Sequence, residues 1–313
     1  MIECNLNKGA FQLAIITLDK VSKYYTKRPA LGDTTFVVNK GDFFGIAGPK
    51  KSGKSTIINL IMDFIRPSSG TVTVMGQKST DRSLDRKRQI GFMPSNPCYC
   101  DTMKAIDVIK TAAKIKGVSD KESVMSLCKH FSVDKNRRIS SLPLASRKKI
   151  AIVIALMGNP QLVIMDNAFV GLDSDIKNKL AHYLLDLNKE GVTVVVSDRN
   201  TELLQQICSR IAIMRKGSLL EISEKNVLMQ SDTRRVSVKT DDDLSALYTL
   251  FRITEITEDN GYISFLYKKD INDLVEALTH YNLDDLQITL PSLGDALVRY
   301  YEKKLEQENG GAE

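Results

Sequence analysis

The chain has 313 residues, of which 42% are hydrophobic and 26% are charged. At about 150 residues per domain this length predicts two domains, and the ordinary composition excludes collagen-like, low-complexity and wholly disordered proteins. The longest uninterrupted apolar run, Ile150–Met157, is much shorter than the roughly 20 residues that cross a bilayer. The N-terminus combines an acidic Glu3 with no long apolar core, so we expect no signal peptide, and work at a membrane would need a partner.

The charge balance predicts no nucleic-acid partner. The formal net charge is +6, which is mild over two domains. Basic residues cluster at Arg86–Arg88 and Arg147–Lys149. We interpret both runs as solvated faces, because no aromatic residues interleave with basic ones in a stripe.

The five cysteines are expected to be reduced thiols of a cytoplasmic protein. Their number is odd, and Cys98 and Cys100 form only a C-x-C, without a second pair or a nearby His to complete a zinc set. Free thiols are typical of reducing compartments.

Segments typical of strands and of helices alternate through the first two-thirds of the chain. Leu162–Met165 and Val192–Val196 are continuous apolar runs, which suit strands that are buried on both faces of a sheet. Ile57, Ile58 and Ile61 recur at helical spacing. This alternation predicts an α/β fold.

The pattern changes in the last third of the chain. Residues 218–232 have no clear period and are predicted to form a linker. Residues 233–306 give strand-like and helix-like segments in the order β-α-β-β-α-β, with a hairpin signal at Asn260–Gly261, which predicts a small ferredoxin-like accessory domain. A final helix should begin near Ser292, and residues 307–313 should form a frayed tail.

One segment predicts a phosphate-binding site. It fits the pattern G-x-x-x-x-G-K-S/T, between a short apolar strand and an amphipathic helix. In such a loop, backbone N–H groups and the helix N-terminus converge on phosphate oxygens. The Lys54 amine would reach the β- and γ-phosphates, and the Ser55 hydroxyl would ligate Mg²⁺. The predicted phosphate-binding residues are Gly48, Pro49, Lys50, Lys51, Ser52, Gly53, Lys54, Ser55 and Thr56.

An acidic residue, Asp166, follows the apolar run Leu162–Met165. This is the arrangement of a Walker B strand, whose Asp holds Mg²⁺. A solvated strand end would give the same pattern, but the phosphate loop upstream favours the metal-binding role for Asp166.

The residues from 14 to 217 resemble the nucleotide-binding subunit of an ATP-binding cassette (ABC) transporter. Gly171–Asp173 is similar to the family's D-loop, and Ile207–Gly217 to its closing strand and turn. Tyr25 lies where the family stacks an aromatic ring on adenine. Leu290–Tyr301 resembles the tail of cassettes that serve bacterial export and self-immunity systems.

This resemblance implies a P-loop NTPase cassette with a mixed core sheet flanked by helices. It places the nucleotide-binding domain at 14–217, with a helical subdomain at about 96–150, followed by the small C-terminal α+β ferredoxin-like domain at 233–306.

The chain departs from the family at five functional positions. Lys51 stands where the phosphate loop usually has a glycine, and Ser95 stands where the Q-loop glutamine should be. Leu142–Ser146 aligns with the L-S-G-G-Q signature, which closes over the ATP of a partner cassette. Asn167 replaces the catalytic Glu, and Arg199 replaces the switch His.

These departures predict impaired hydrolysis. Asn167 has no carboxylate to accept a proton from attacking water, and the loss of general-base catalysis costs about 10²–10⁴ in rate. Pro143 removes a backbone N–H from the signature turn, and Leu144 and Ala145 add side chains where the family brings glycine backbone near phosphate. We therefore assign no residue to catalysis, and Asn167 and Arg199 mark the degenerate catalytic positions.

Nucleotide binding is expected to persist. Lys54, Ser55, Asp166 and Tyr25 are retained, so the resemblance implies ATP and Mg²⁺ as ligands. Arg199 adds positive charge. Its guanidinium either contacts the γ-phosphate in the manner of an arginine finger, or the substitution arose by drift at a site that is no longer under selection.

Three classes of function remain open at this point. The first, which we favour, is an ABC transporter subunit, peripheral on the cytoplasmic face of the cell membrane. It would bind MgATP and pair with a membrane permease and a second nucleotide-binding subunit, as a homodimer or a heterodimer. The second is a regulator or scaffold outside transport that binds ATP as a structural ligand. The third, another P-loop protein such as a kinase, is disfavoured by Gly171–Asp173 and the closing strand.

Overall fold

The computed structural model of the protein describes residues 14–25, 29–81, 83–224, 234–251, 253, 256–259 and 261–289. The chain divides into two compact units, Met1–Ile222 and Ser223–Glu313. Each unit contains a hydrophobic core of its own.

Two sheets organise the first unit. Its strands are β1 (Ala14–Tyr24), β2 (Pro29–Asn39), β3 (Phe43–Ala47), β4 (Ser69–Val74), β5 (Gln77–Lys78), β6 (Ile90–Met93), β7 (Leu162–Met165), β8 (Thr193–Asp198), β9 (Arg210–Arg215) and β10 (Ser218–Glu224). One sheet has the order β2-β1-β4-β5, and its neighbouring strands are antiparallel. The other has the order β10-β9-β3-β8-β7-β6, and it is parallel from β9 to β6.

The helices of the first unit follow the strands in chain order. They are α1 (Lys54–Ile61), α2 (Leu84–Arg88), α3 (Ala105–Lys116), α4 (Lys121–His130), α5 (Leu144–Leu156), α6 (Ser174–Lys189) and α7 (Thr201–Ile207), with a 3₁₀ turn at Ile139–Ser141. Described helices and strands therefore alternate as in an α/β fold, which confirms the predicted fold class of this unit.

The carboxyl ends of three adjacent strands place the functional loops at one edge of the parallel sheet. Every residue of β3, β7 and β8 is buried, as their continuous apolar runs predicted. Ala47 is in register with Asp198, and Met165 is in register with Val196. The segments that follow these strands, namely the phosphate loop, Asp166–Asn167 and Arg199, therefore emerge side by side, where open α/β sheets bind ligands.

The interpretation of both basic runs as solvated faces was wrong for one residue in each. Arg86 is only 6% exposed, because its guanidinium donates hydrogen bonds of 2.7–2.8 Å to the carbonyl oxygens of Lys78, Ser79 and Asp81. Lys148 is only 1% exposed, because its ammonium donates hydrogen bonds of 2.7 Å to the carbonyl oxygens of Asn167 and Val170. Buried charges of this kind are tolerated when hydrogen bonds satisfy their donors.

The predicted linker begins too early at residue 218. Ser218–Glu224 forms β10, an edge strand of the parallel sheet, and the division between the two units falls after Ile222. A single short edge strand has too few buried positions to show a clear hydrophobic period. Residues 225–232 lie outside the described residues.

The second unit contains one four-stranded antiparallel sheet. Its elements are β11 (Arg234–Lys239), α8 (Ser245–Phe251), β12 (Ile256–Asp259), β13 (Tyr262–Tyr267), α9 (Ile271–Leu278) and β14 (Asp285–Thr289). The strand order is β12-β13-β11-β14, with antiparallel pairing throughout. Buried residues of the central strands, such as Val236 and Phe265, pack with Leu247 of α8 and Leu274 of α9. The element order is the β-α-β-β-α-β expected from the sequence, while the expected final helix, the Leu290–Tyr301 segment and the tail lie outside the described residues.

Candidate nucleotide-binding site

An open pocket of about 430 Å³ lies at the carboxyl ends of the central parallel strands. Its lining residues are Ala30, Lys50, Lys51, Ser52, Gly53, Lys54, Ser55, Thr56, Ser95, Asn167 and Arg199. The fold thus brings the predicted phosphate loop together with Ser95, Asn167 and Arg199, three positions at which the chain departs from the family pattern. Gly48, Pro49 and Asp166 are not among the lining residues.

Two glycines allow the loop to fold as it does. Gly48 has a φ of +151°, and an added Cβ would lie 2.3 Å from the carbonyl oxygen of Met214 in β9. Gly53, with a φ of +107°, is the N-cap of α1, and an added Cβ would lie 3.2 Å from the carbonyl oxygen of Ala30. Side chains at either position would meet neighbouring backbone, so the spacing of these glycines follows from close packing.

Lys51 adopts the backbone conformation that explains the usual glycine at this position. Its φ is +66°, in the left-handed region. A residue with a Cβ pays roughly 1–2 kcal/mol for this conformation, which glycine adopts freely. The chain therefore keeps the loop shape despite the substitution and places an exposed lysine at the pocket.

The Lys54 amine is folded back onto the phosphate loop. Its Nζ donates hydrogen bonds to the carbonyl oxygens of Gly48 at 2.6 Å and Pro49 at 2.8 Å, and to Ser52 Oγ at 3.3 Å. Burial lowers the pKa of this amine, the nearby carboxylates of Asp166 and Asp198 oppose that shift, and the charge of Arg199 adds to it. The amine therefore lies at the site where a phosphate oxygen could replace its present acceptors.

Asp166 offers a carboxylate for a metal next to the loop. It is buried, and its Oδ1 accepts a hydrogen bond of 2.6 Å from Ser197 Oγ. No hydrogen bond from a described residue reaches its Oδ2. Mg²⁺ in nucleotide sites binds one or two protein oxygens together with phosphates and waters. The Ser55 hydroxyl and Asp166 Oδ2 fit that requirement, although no cluster of three or more metal-ligating side chains occurs among the described residues.

Asn167 is held in a left-handed conformation by contacts on three sides. Its φ is +46°, its N–H donates to Ser197 Oγ at 2.9 Å, and its carbonyl oxygen accepts from Lys148 Nζ at 2.7 Å. Its Nδ2 donates to Ser95 Oγ at 2.7 Å. Its Oδ1 is buried, with no hydrogen-bond partner in the described part of the chain. Asn167, which the sequence analysis predicts to stand at the general-base position, therefore places a neutral amide in contact with Ser95.

Lys148, in α5, is a site residue that the sequence analysis missed. It donates hydrogen bonds of 2.7 Å to the carbonyl oxygens of Asn167 and Val170, and burial lowers its pKa. Ala151 and Ile152, three and four residues later on the same helix face, are also buried. That spacing could have indicated a buried lysine, because residues at i, i+3 and i+4 share a face.

Asp198 is the second missed residue, and it fixes the backbone beside Arg199. Its Oδ1 accepts from the N–H groups of Arg199 and Asn200 at 2.7 and 2.9 Å, and its Oδ2 accepts from Phe169 N–H at 2.9 Å. Arg199 itself is exposed and lines the pocket. Among the residues that the structure describes, none forms a hydrogen bond or ion pair with its guanidinium.

Two other predicted features are not part of the pocket lining. Tyr25 is 59% exposed and does not line the pocket, and Lys23 Nζ lies 5.4 Å from its ring centroid. In the signature segment, Pro143 is the N-cap of α5 without a side-chain cap, and the Leu144 side chain is 47% exposed. The start of this helix therefore presents an apolar side chain to solvent.

Comparisons with known proteins agree with this geometry. A family model described as ABC transporter matches residues 31–170. The linearmycin resistance ATP-binding protein LnrL of Bacillus subtilis (strain 168) is 26% identical over 297 residues, which cover 89% of this chain and 96% of that protein. The methionine import ATP-binding protein MetN of Clostridioides difficile (strain 630) is 27% identical over 230 residues, which cover 70% of this chain and 72% of that protein.

Solved structures with a similar fold are cassettes of the same kind. The dimeric structure of MJ0796, a bacterial ABC transporter cassette, has a TM-score of 0.62 and 25% identity, and the match covers 67% of this chain and 98% of that one. A structure of an ATP-binding subunit of an ABC transporter has a TM-score of 0.64 at 23% identity and covers 69% of this chain and 92% of that one. The first unit of this chain thus shares its sequence pattern and its fold with the ATP-binding subunits of ABC transporters.

Proposed function

We propose that this subunit binds ATP at the pocket, hydrolyses it slowly or not at all, and gates or drives a membrane permease. The observation that supports this best is the position of Asn167, whose amide lies in the pocket with its Nδ2 on Ser95 Oγ. In this proposal the phosphate loop and Lys54 hold the phosphates, Ser55 and Asp166 hold Mg²⁺, and Tyr25 stacks on the base.

The contacts of the loop support binding. Backbone N–H groups at the start of α1 and the ammonium of Lys54 provide donors and positive charge for phosphate oxygens. The adjacent carboxylates are buried and already accept hydrogen bonds, so they oppose an anion less than free carboxylates would.

The chemistry of the pocket supports weak hydrolysis. An amide cannot accept a proton from water at neutral pH, and general-base catalysis is worth about 10²–10⁴ in rate. Neither Ser95 nor Arg199 supplies a carboxylate or imidazole in its place. The site is therefore suited to holding the triphosphate rather than to cleaving it.

Similarity to LnrL supports an export or self-immunity system, since that relative is named as a resistance protein and the match spans nearly all of its length. No helix in the described ranges is long and apolar enough to cross a membrane. We propose that a permease subunit holds the chain on the cytoplasmic face of the cell membrane, and that the chain pairs with a second cassette as MJ0796 does in its dimeric structure.

The signature segment favours a second candidate, an ATP-binding regulator outside transport. Pro143, at the start of α5, has no backbone N–H to donate to a partner's phosphates. Leu144 adds an exposed side chain where the family brings glycine backbone near those phosphates. Light scattering with and without ATP separates the two proposals. ATP-dependent assembly of this chain with itself or with a second cassette supports transport, and a chain that stays monomeric with bound ATP supports the regulator.

The central test measures affinity and turnover in the same buffer. Calorimetry with ATP and Mg²⁺ should give micromolar binding, and phosphate release should not exceed that of the Lys54→Ala variant. Lys54-dependent release would contradict the proposed weak hydrolysis, and the absence of binding would contradict the proposed ATP site.

A further inference from the structure

We propose that the pocket binds ATP about as tightly without a divalent cation as with one, because its own unpaired positive charges take over the neutralisation that Mg²⁺ supplies. This inference rests on the proposed ATP site and defines the form of nucleotide that the site accepts. It follows from the balance of charges in and near the pocket.

The buried charges at and near the pocket balance one another. Lys54 and Lys148 are the buried cations, and both lie within electrostatic reach of Asp166 and Asp198. Three of the four carboxylate oxygens accept hydrogen bonds, Asp166 Oδ1 from Ser197 Oγ and both oxygens of Asp198 from backbone N–H groups. The two ammonium groups and the two carboxylates therefore have a net formal charge of zero.

The surface of the pocket has uncompensated positive charge. Lys50, Lys51 and Arg199 are exposed residues of its lining, and no ion pair joins any of them to a described residue. Arg199 lines the same pocket as the phosphate-loop residues. No acidic residue belongs to the lining.

The pocket offers fewer protein oxygens for a metal ion than it has positively charged side chains on its surface. Asn167 contributes a neutral amide rather than a carboxylate, and Ser95 Oγ accepts the hydrogen bond from its Nδ2. The Ser55 hydroxyl and Asp166 Oδ2 remain as protein oxygens for Mg²⁺. Uncomplexed ATP has more negative charge than its magnesium complex, and the surplus cations of the pocket oppose that charge directly.

The experiment compares ATP affinity by calorimetry in excess EDTA and in excess Mg²⁺ at constant ionic strength. For the unaltered protein we expect the two dissociation constants to differ by less than about threefold, within the range of a weak charge effect. The Arg199→Gln and Lys51→Gln variants should lose more affinity in EDTA than in Mg²⁺. In the double variant, the ratio of the dissociation constant in EDTA to that in Mg²⁺ should rise by about fivefold or more.

Lys110→Gln is the matched control, since Lys110 is an exposed lysine of α3 outside the pocket lining. It should leave both affinities unchanged. A loss of more than about tenfold on removing Mg²⁺ from the unaltered protein would overturn the inference, and so would an unchanged ratio in the pocket variants. Binding in Mg²⁺ alone would overturn the inference but leave the proposed function intact, whereas the absence of binding in both buffers would contradict the proposed function itself.

Discussion

The amide of Asn167 donates a hydrogen bond of 2.7 Å from Nδ2 to the hydroxyl of Ser95, 72 positions away in the chain. The family resemblance predicts that these two residues occupy the positions of the catalytic Glu and the Q-loop Gln. Two of the predicted departures from the family are therefore in direct contact.

Restoring the carboxylate at position 167 should restore part of the hydrolysis. We expect Asn167→Glu to raise phosphate release by at least about tenfold over the unaltered protein, since general-base catalysis is worth about 10²–10⁴. The altered signature should keep the gain below the upper figure. Asn167→Gln is the matched control, because the Gln side chain has the length of Glu without its charge. An equal rise in the Gln variant would show that side-chain length, and not a base, limits the reaction.

The buried lysine of α5 should matter more for stability than its neighbour. Lys148→Met removes the donor for the carbonyl oxygens of Asn167 and Val170, and each unsatisfied buried group costs about 1–3 kcal/mol. We expect the free energy of unfolding in urea to fall by about 2–4 kcal/mol. In Lys149→Met, the ion pair with Asp173 at 3.6 Å is lost near the surface, which should cost less than about 1 kcal/mol. Similar losses of unfolding free energy in the two variants would contradict the stabilising role of the hydrogen bonds from Lys148.

The sequence predicted the elements that depend on local pattern. The apolar runs of β7 and β8 are buried throughout, and the phosphate loop lies between β3 and α1 as its motif requires. Local apolar periodicity and glycine spacing suffice for such features, because the determining contacts lie within a few residues or on one face.

The features that the sequence did not predict depend on contacts between distant segments. Arg86 and Lys148 are buried because carbonyl oxygens from other loops accept their hydrogen bonds, and no local pattern encodes those acceptors. The contact of Ser95 with Asn167 requires β6 and β7 to lie side by side. The edge strand β10 has no strong period of its own, so its sequence was taken for a linker.

Lys116, the last residue of α3, should titrate near pH 8. Its Nζ donates to the carbonyl oxygens of Ile154 and Met157 at the end of α5, and burial lowers the pKa to about 8 from 10.5. Between these values the unfolded chain binds the proton more tightly than the folded protein, so this group makes stability rise with pH over that window. The ¹³Cε resonance of Lys116 should show a midpoint near pH 8.

The matching stability measurement uses the Lys116→Met variant. Lys54 and Lys148 also have lowered pKa values, so the unaltered protein contains several contributions of the same sign. The difference between the two proteins isolates the contribution of Lys116. The unaltered protein should gain stability relative to the variant between about pH 8 and pH 10. A difference that does not change with pH would show that the amine titrates normally.

Alanine substitutions at Gly48 and Gly76, which both have positive φ, separate the cost of close packing from the cost of backbone strain. An added Cβ at Gly48 would meet the Met214 carbonyl oxygen at 2.3 Å, whereas at Gly76, with a φ of +77°, it would meet nothing within 4 Å. Gly76→Ala should therefore cost only the left-handed conformation, about 1 kcal/mol, and leave ATP affinity unchanged. Gly48→Ala must also move β9 away from the loop, so we expect a loss of more than about 3 kcal/mol in urea unfolding and a loss of ATP binding. If both variants lost the same small amount of stability, the fit of the loop against β9 would not be what requires glycine at position 48.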